Sequence, residues 1–159
     1  MKIFLSRVID FFATWLPKGP VAYFLLFIIW AVTLWFLSEG TPAPKNGPEI
    51  PHLDKIAHFG YFFGGAGILS ACLGLWRRWK MPEGFLWGVF VVVVIIVGVL
   101  IGRLDEYHQT FTPGRSGNDN GDWLADILGA VVGSWVMVSG VLPRLILKRN
   151  DLISRNDHK

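Results

Sequence analysis

The ionisable side chains that could do chemistry in this chain are concentrated between residues 105 and 126. This segment, DEYHQTFTPGRSGNDNGDWLAD, holds four aspartates, one glutamate, one histidine and one arginine. Carboxylates beside an imidazole can donate and accept protons or act as ligands, and an arginine offers a rigid fork of donors that suits phosphate or carboxylate. Only 17% of all residues are charged and 52% are hydrophobic, so this segment is the first candidate for function.

A second polar group occupies residues 52–58, with the sequence HLDKIAH. In a helix, Asp54 and His58 are one turn apart and lie on the same face. The same spacing relates Asp122 to Asp126. Carboxylate and imidazole groups on separate helices can meet in one site, so the sequence predicts a shared polar cleft.

Three predicted helices repeat one arrangement, provided that the third span continues to Gln109: polar groups lie at one end, and small residues lie further along the same face. The small residues are Gly65 and Cys72, Gly98 and Gly102, and Gly129 and Gly133. Such residues let helices approach closely inside a bilayer, which would bring the polar ends together. The predicted ligand-binding residues are Asp54, Lys55, His58, Glu106, Gln109, Arg115, Asp122 and Asp126.

Four apolar stretches are long enough to cross the hydrocarbon core of a membrane, which takes about 20 residues. They are residues 20–37, 56–76, 85–102 and 123–142. Inside lipid the backbone must satisfy its own hydrogen bonds, so each stretch is predicted to be a helix. Among Asp, Glu, Lys, Arg and His, only His58 and Asp126 lie within them. An acid at such depth is costly unless it is paired, which favours a functional role for Asp126.

Residues 1–19 are predicted to form an amphipathic helix that lies in the membrane interface and then turns into the first span. Its apolar face comprises Phe4, Leu5, Val8, Ile9, Phe11, Phe12, Trp15 and Leu16. Its polar face comprises Lys2, Ser6, Arg7, Asp10 and Thr14. This separation favours an interfacial helix over a signal peptide. The sequence therefore predicts an all-α membrane protein with four transmembrane helices and an N-terminal interfacial amphipathic helix.

Basic residues predict the orientation of the chain. With four spans, both termini and the loop after the second span share one side, which holds 11 Lys and Arg residues against four on the other. The richer side is normally cytoplasmic, so residues 105–122 are predicted to be extracytoplasmic. The predicted domains are the interfacial helix and turn (1–19), a four-helix transmembrane domain (20–142) and a basic cytoplasmic tail (143–159). The net charge of +3 is then a topology signal, and no nucleic-acid partner is predicted.

Structural roles are open for several of these residues. Asp54 and Asp122 can each cap a helix, and His58 can be a packing histidine. Arg115 can pair internally with the nearby carboxylates, which is the interpretation we favour, or it can clamp an external anion. A capping role does not exclude a role in a site.

The ordered set of polar residues resembles the VanZ-like family. The matching positions are Asp54-Lys55-x-x-His58, Glu106-x-x-Gln109-x-Phe111-x-Pro113-Gly114-Arg115, and Asp122 with Gly129 and Gly133. The resemblance implies a small bacterial protein of the cytoplasmic (inner) membrane, and the family's namesake is associated with low-level resistance to teicoplanin, a lipoglycopeptide antibiotic. Family members typically carry asparagine where this chain has Asp126.

Two functions of different classes remain open. In the first, the cleft binds an anionic cell-envelope component, such as a lipid headgroup or a glycopeptide. In the second, Glu106, Asp126 and His58 exchange protons with a lipid-linked or peptidoglycan-derived substrate. The sequence shows no recognisable nucleophile, which favours the binder. It shows no H-E-x-x-H or similar motif, so no metal and no cofactor is predicted, although a mixed His/Asp/Glu metal site stays open. Membrane lipids are the other predicted partners.

Overall fold

The computed structural model describes residues 2–40, 52–76, 84–115 and 117–157, and within these ranges the chain forms helices joined by turns. The α-helices are α1 (Lys2–Trp15), α2 (Pro20–Glu39), α3 (Leu53–Trp76), α4 (Phe85–Val93), α5 (Gly102–Gln109), α6 (Asn120–Val136) and α7 (Leu142–Asp157). Two π-helical segments, Val94–Ile101 and Met137–Val141, join α4 to α5 and α6 to α7 without a break.

Four continuous helices are long and apolar enough to cross a membrane: Pro20–Glu39, Leu53–Trp76, Phe85–Gln109 and Asn120–Arg155. They confirm the predicted all-α membrane fold with four transmembrane helices. The third helix does continue to Gln109, so its polar end is a rigid extension of the span. Residues 143–157, which were predicted to belong to a tail, continue the fourth helix as α7.

Helix α1 at the N-terminus lies against α7. The Asp10 carboxylate is 2.7 Å from Nε of Arg144, and Lys148 Nζ donates to the Asp10 carbonyl oxygen over 3.0 Å. Ala13 is buried, whereas Phe11 and Trp15 are exposed. The placement of α1 in the membrane interface stays a prediction, as do the domain boundaries at residues 19 and 142.

Helices α3 and α6 pack closely against each other, and glycines make this close approach possible. A Cβ atom at Gly129 would collide with the backbone carbonyl of Phe59, and one at Gly133 with that of Phe63. Further along the pair, the buried hydroxyls of Ser70 and Ser134 are 2.8 Å apart. Because the two backbones nearly touch, the polar residues at the start of α3 and of α6 are held side by side.

Helix α2 is fixed to α3 by a reciprocal pair of hydrogen bonds. The Trp30 indole N–H donates to the Tyr61 carbonyl over 3.0 Å, and the Tyr61 hydroxyl donates to the Trp30 carbonyl over 2.8 Å. Gly65 leaves the space that the Trp30 ring occupies. The ring belongs to an apolar core that also contains Phe62, Val93 and Val97. This core lies directly below the polar ends of the helices.

Candidate functional site

The polar ends of α3, α5 and α6 meet the end of α2 around a cavity of about 530 Å³. Five of the predicted site residues contribute to its wall: Asp54, His58, Gln109, Arg115 and Asp122. Apolar side chains complete the wall, among them Leu34, Leu37, Leu53 and Phe62. The cavity is therefore amphipathic, with one polar and one apolar part.

Lys55 is surrounded by three carboxylates next to the cavity. Its Nζ is 3.1 Å from Asp54, 3.0 Å from Asp122 and 3.4 Å from Asp119. The Gly121 N–H, which donates to Asp119 over 2.6 Å, and then Lys55 hold the pKa of the Asp119 carboxyl below its ordinary value. The single positive charge of Lys55 is thus committed to acidic partners.

The first turns of α3 and α6 differ from the predicted caps. The N-cap of α6 is Asp119, whose side chain accepts from Gly121 N–H, so the capping role considered for Asp122 is wrong. Helix α3 begins at Leu53, which places Asp54 inside the first turn instead of at the N-cap. Both Asp54 and Asp122 use their carboxylates on Lys55.

His58 and Asp126 form a buried pair between α3 and α6. His58 Nδ1 is 2.9 Å from Asp126 Oδ1. Asp126 is fully buried, and its Oδ2 has no hydrogen-bond partner among the described residues. Gly102 makes room for that oxygen, since a Cβ at this position would lie 2.9 Å from it. The predicted i, i+4 faces thus meet across the helix pair.

Two carboxylates of α5 complete the buried cluster. Asp105 accepts from the Ser38 hydroxyl with one oxygen and from Gln109 Nε2, at 2.9 Å, with the other. Glu106 is fully buried and accepts from the Asp119 N–H over 2.6 Å through Oε2. Its Oε1 has no hydrogen-bond partner among the described residues.

Arg115 closes the end of α2 instead of pairing with acids. Its Nη2 donates to the Leu37 carbonyl over 3.1 Å, and its Nε donates to the Gly40 carbonyl over 3.2 Å. Its Nη1 donates to Gln109 Oε1 over 3.1 Å. The last carbonyls of a helix lack intrahelical donors, and Arg115 supplies them. The internal role we favoured is therefore found, but within the described chain its partners are carbonyl and amide oxygens, so the predicted ion pair with carboxylates is wrong.

One imidazole and two carboxylates lie close enough together in this cluster to share one metal ion. His58, Asp105 and Glu106 each offer one ligand atom, and these atoms all lie within 4.8 Å of one another. From the sequence no metal is predicted, although a mixed His/Asp/Glu site stays open, because His58 lies on α3, Asp105 and Glu106 lie on α5, and the three match no linear motif. Their arrangement can hold a cation or exchange protons.

The structure brings the predicted residues together, but not all of them line the cavity. Glu106 and Asp126 lie beneath the cavity, in the buried cluster, and Lys55 lies beside it. Ser38, Asp105 and Asp119 are members of this region that the predicted site did not include. The Asn-Asp-Asn-Gly run before an apolar stretch is a recognisable N-cap signal for Asp119, whereas nothing in the apolar sequence of α2 marks Ser38. The role of all these residues in ligand binding stays a prediction.

Comparison with known proteins agrees with the ordered motif. The family model described as VanZ/LLP1 matches residues 22–142. Neither the curated proteins nor the solved structures that were searched contain a match. The matched range includes all four candidate spans at least in part, together with every residue of the buried cluster and of the cavity wall. The chain therefore belongs to the VanZ/LLP1 family, as a protein with four helices able to cross a membrane.

Proposed function

We propose that this protein binds the polar headgroup of a cell-envelope component in the cavity at the ends of α2, α3, α5 and α6. The observation that carries the proposal is the amphipathic wall of that cavity. Its volume of about 530 Å³ falls in the range of small-molecule sites, which are mostly apolar with a few placed polar groups. A membrane amphiphile offers the matching combination, an apolar chain next to a polar head.

The proposed setting is the outer face of the bacterial inner membrane, with both termini in the cytoplasm. The distribution of Lys and Arg supports this orientation, with 11 on the side of the termini and four on the other. The cavity then opens at the level of the outer headgroups, where envelope precursors and lipids are available. Membrane lipids are the partners that the four spanning helices themselves imply.

The charge of the ligand is a separate part of the proposal. An anionic component is our expectation from the sequence. In the described part of the chain, however, both cations near the cavity have protein partners: Lys55 binds three carboxylates, and Arg115 binds carbonyl and amide oxygens. An anionic headgroup therefore needs an additional positive charge.

Glycopeptide antibiotics enter the proposal as one ligand class. The resemblance to the VanZ-like family implies a link to teicoplanin resistance for the namesake. Teicoplanin is a lipoglycopeptide, so it also combines a polar body with an apolar chain. It belongs among the ligands offered in the binding experiment.

Lipid capture with two matched variants tests the proposal. Ala57 lines the cavity, so Ala57→Trp would fill it; Gly60 is one turn further along α3, and no atom lies within 4 Å of the position its Cβ would take. We expect the purified wild type and Gly60→Trp to retain one envelope component enriched over the bulk membrane, and Ala57→Trp to lose it. Mass spectrometry of the extracted lipids measures this. A bulk lipid profile in all three proteins would contradict the proposal.

An enzymatic role is the second candidate, and the His58–Asp126 pair favours it. With Nδ1 and Oδ1 2.9 Å apart and Glu106 buried nearby, the cluster has the groups that general acid–base catalysis requires. The substrate would be the same lipid-linked or peptidoglycan-derived class. The two roles differ in what the capture experiment returns: a binder releases the component unchanged, and an enzyme releases a chemically altered one.

A further inference from the structure

The buried cluster contains more negative charge than its protein partners neutralise. Asp105, Glu106 and Asp126 are all buried, the last two completely. Lys55 is engaged by three other carboxylates, those of Asp54, Asp119 and Asp122. Among the described residues, His58 is the one basic side chain with a direct contact to a carboxylate of this cluster, that of Asp126. Buried charge without compensation is strongly unfavourable, so the cluster must acquire protons or a cation.

Two oxygen atoms in this cluster have no hydrogen-bond partner among the described residues. They are Oε1 of Glu106 and Oδ2 of Asp126, each on a fully buried side chain. Native proteins seldom leave buried polar atoms unpaired, and such atoms commonly mark an unseen water or ion. The unpaired Glu106 oxygen belongs to one of the three side chains whose ligand atoms lie within 4.8 Å of one another.

The surrounding hydrogen bonds hold these side chains as metal ligands are usually held. Asp126 binds Nδ1 of His58, which leaves Nε2 as the ring nitrogen available to a ligand. A carboxylate behind a histidine, a hydroxyl or amide on a ligating carboxylate, and a backbone N–H are the usual outer partners of metal sites. Asp105 has the Ser38 hydroxyl and the Gln109 amide, and Glu106 has the Asp119 N–H.

We propose that His58, Asp105 and Glu106 form a binding site for one divalent transition-metal ion at the base of the cavity, with Asp126 positioning the imidazole. One imidazole nitrogen with two carboxylates suits Zn²⁺ or Mn²⁺, since imidazole is a ligand of the former and carboxylates of the latter. Three protein ligands leave coordination positions open. His58 and Asp105 also line the cavity, so an ion held by these side chains would be accessible from it.

The metal ion would explain how an acidic site takes an anionic headgroup. A bound divalent cation is the largest local charge in its site and reverses the local electrostatics. A phosphate or carboxylate of the headgroup would coordinate it from the cavity. This role rests on the proposed function, but metal binding by the protein alone can be measured without any headgroup.

Calorimetric titration of the full chain in detergent, after treatment with a chelator, tests the site with ZnCl₂ and with MnCl₂. We expect one saturable equivalent of at least one of the two ions in the wild type. His58→Asn and Glu106→Gln should each weaken binding at least tenfold. Asp126→Asn keeps an acceptor for the imidazole, so it should weaken binding by about 10- to 100-fold without abolishing it.

Two matched controls separate the site from surface binding. His52→Asn makes the same change in an exposed histidine whose positive φ of 61° asparagine also tolerates. Asp151→Asn changes an exposed acid on α7. Both should bind as the wild type does. If the wild type shows no saturable binding of either ion, or if His58→Asn and Glu106→Gln bind like the controls, the inference is wrong.

Folding of each variant is checked by circular dichroism and gel filtration, and the conclusion does not depend on any single variant. If His58→Asn or Glu106→Gln fails to fold, Asp126→Asn provides the test. An affinity of this variant for the metal ion equal to that of the wild type would contradict the proposed site. The outcome is also separable from that of lipid capture. Capture of an envelope component by a protein that binds no metal would overturn this inference alone, and metal binding without capture would overturn the headgroup proposal alone.

Discussion

At the end of the bundle formed by α1 and α7, charged side chains lie near the surface and contact each other or backbone carbonyls. The Asp10 carboxylate, which pairs with Arg144, is about half exposed, and Arg149 donates to the Leu75 carbonyl at the end of α3. At the opposite end, Glu106 and Asp126 are fully buried, and each has a carboxylate oxygen without a partner among the described residues.

The two ends therefore differ in what their charged groups do to stability: those at the α1–α7 end are compatible with the fold, and those at the opposite, acid-rich end weaken it. Charges at the α1–α7 end are solvated or paired, so they cost little and also fit the excess of basic residues that orients membrane proteins. Buried and incompletely paired carboxylates lower stability, and natural proteins commonly retain such residues where function needs them. The acid-rich end is for this reason the end at which we place the ligand site.

Arg115→Ala should have the largest effect on stability, a loss of about 2–3 kcal/mol in the free energy of unfolding, because three hydrogen bonds from a charged group disappear. The matched change at the other end, Lys148→Ala, removes one hydrogen bond at an exposed site and should cost about 1 kcal/mol or less. Equilibrium unfolding in mixed detergent micelles measures both. Arg115→Lys should recover little, because an ammonium cannot reproduce the planar fork.

Equal losses of stability from Arg115→Ala and Lys148→Ala would show that the hydrogen bonds of Arg115 contribute no more than an exposed contact at the α1–α7 end. The partner of Arg115 can be examined as well. Because its hydrogen bonds go to carbonyl and amide oxygens, a double-mutant cycle between Arg115→Ala and Glu106→Gln should show a coupling below about 0.5 kcal/mol. A larger coupling energy would indicate that Arg115 and Glu106 do form an ion pair, contrary to the structure.

Glu106→Gln should stabilise the chelator-treated protein, by about 1–2 kcal/mol. The amide keeps an acceptor for the Asp119 N–H and turns the unpartnered oxygen into a donor beside other carboxylates. The same change in Glu39, whose side chain is about half exposed, should alter stability by less than about 0.5 kcal/mol. If Glu106→Gln destabilises the metal-free protein instead, the buried carboxylate of Glu106 does not lower the stability of the fold.

The fold followed from the sequence because lipid leaves the backbone few choices. The four apolar stretches had to be helices, and the glycines on α6 indicated that this helix approaches a neighbour closely. The structure shows that the neighbour is α3, at Phe59 and Phe63. The i, i+4 spacing of Asp54 and His58, and of Asp122 and Asp126, predicted which faces would meet. Local periodicity was enough for each of these conclusions.

The partners within the site could not be predicted in the same way. Ser38 contacts Asp105 across 67 positions, and Arg115 reaches the Leu37 carbonyl across 78. Such contacts depend on where the end of α2 lies relative to the loop before α6, which no local pattern encodes. The placement of Glu106 and Asp126 beneath the cavity likewise depends on helix rotation and depth instead of on spacing alone.

The proposed function requires the acid-rich end to face the outside of the cell. Single cysteines at Ser116 and at Ser154, in a Cys72→Ser background that removes the sole cysteine, can be labelled in intact cells with a membrane-impermeant maleimide. We predict that position 116 is labelled and that position 154 is labelled only after permeabilisation. Labelling of position 154 in intact cells, with position 116 protected, would place the cavity on the cytoplasmic side and contradict the proposed role at the outer face.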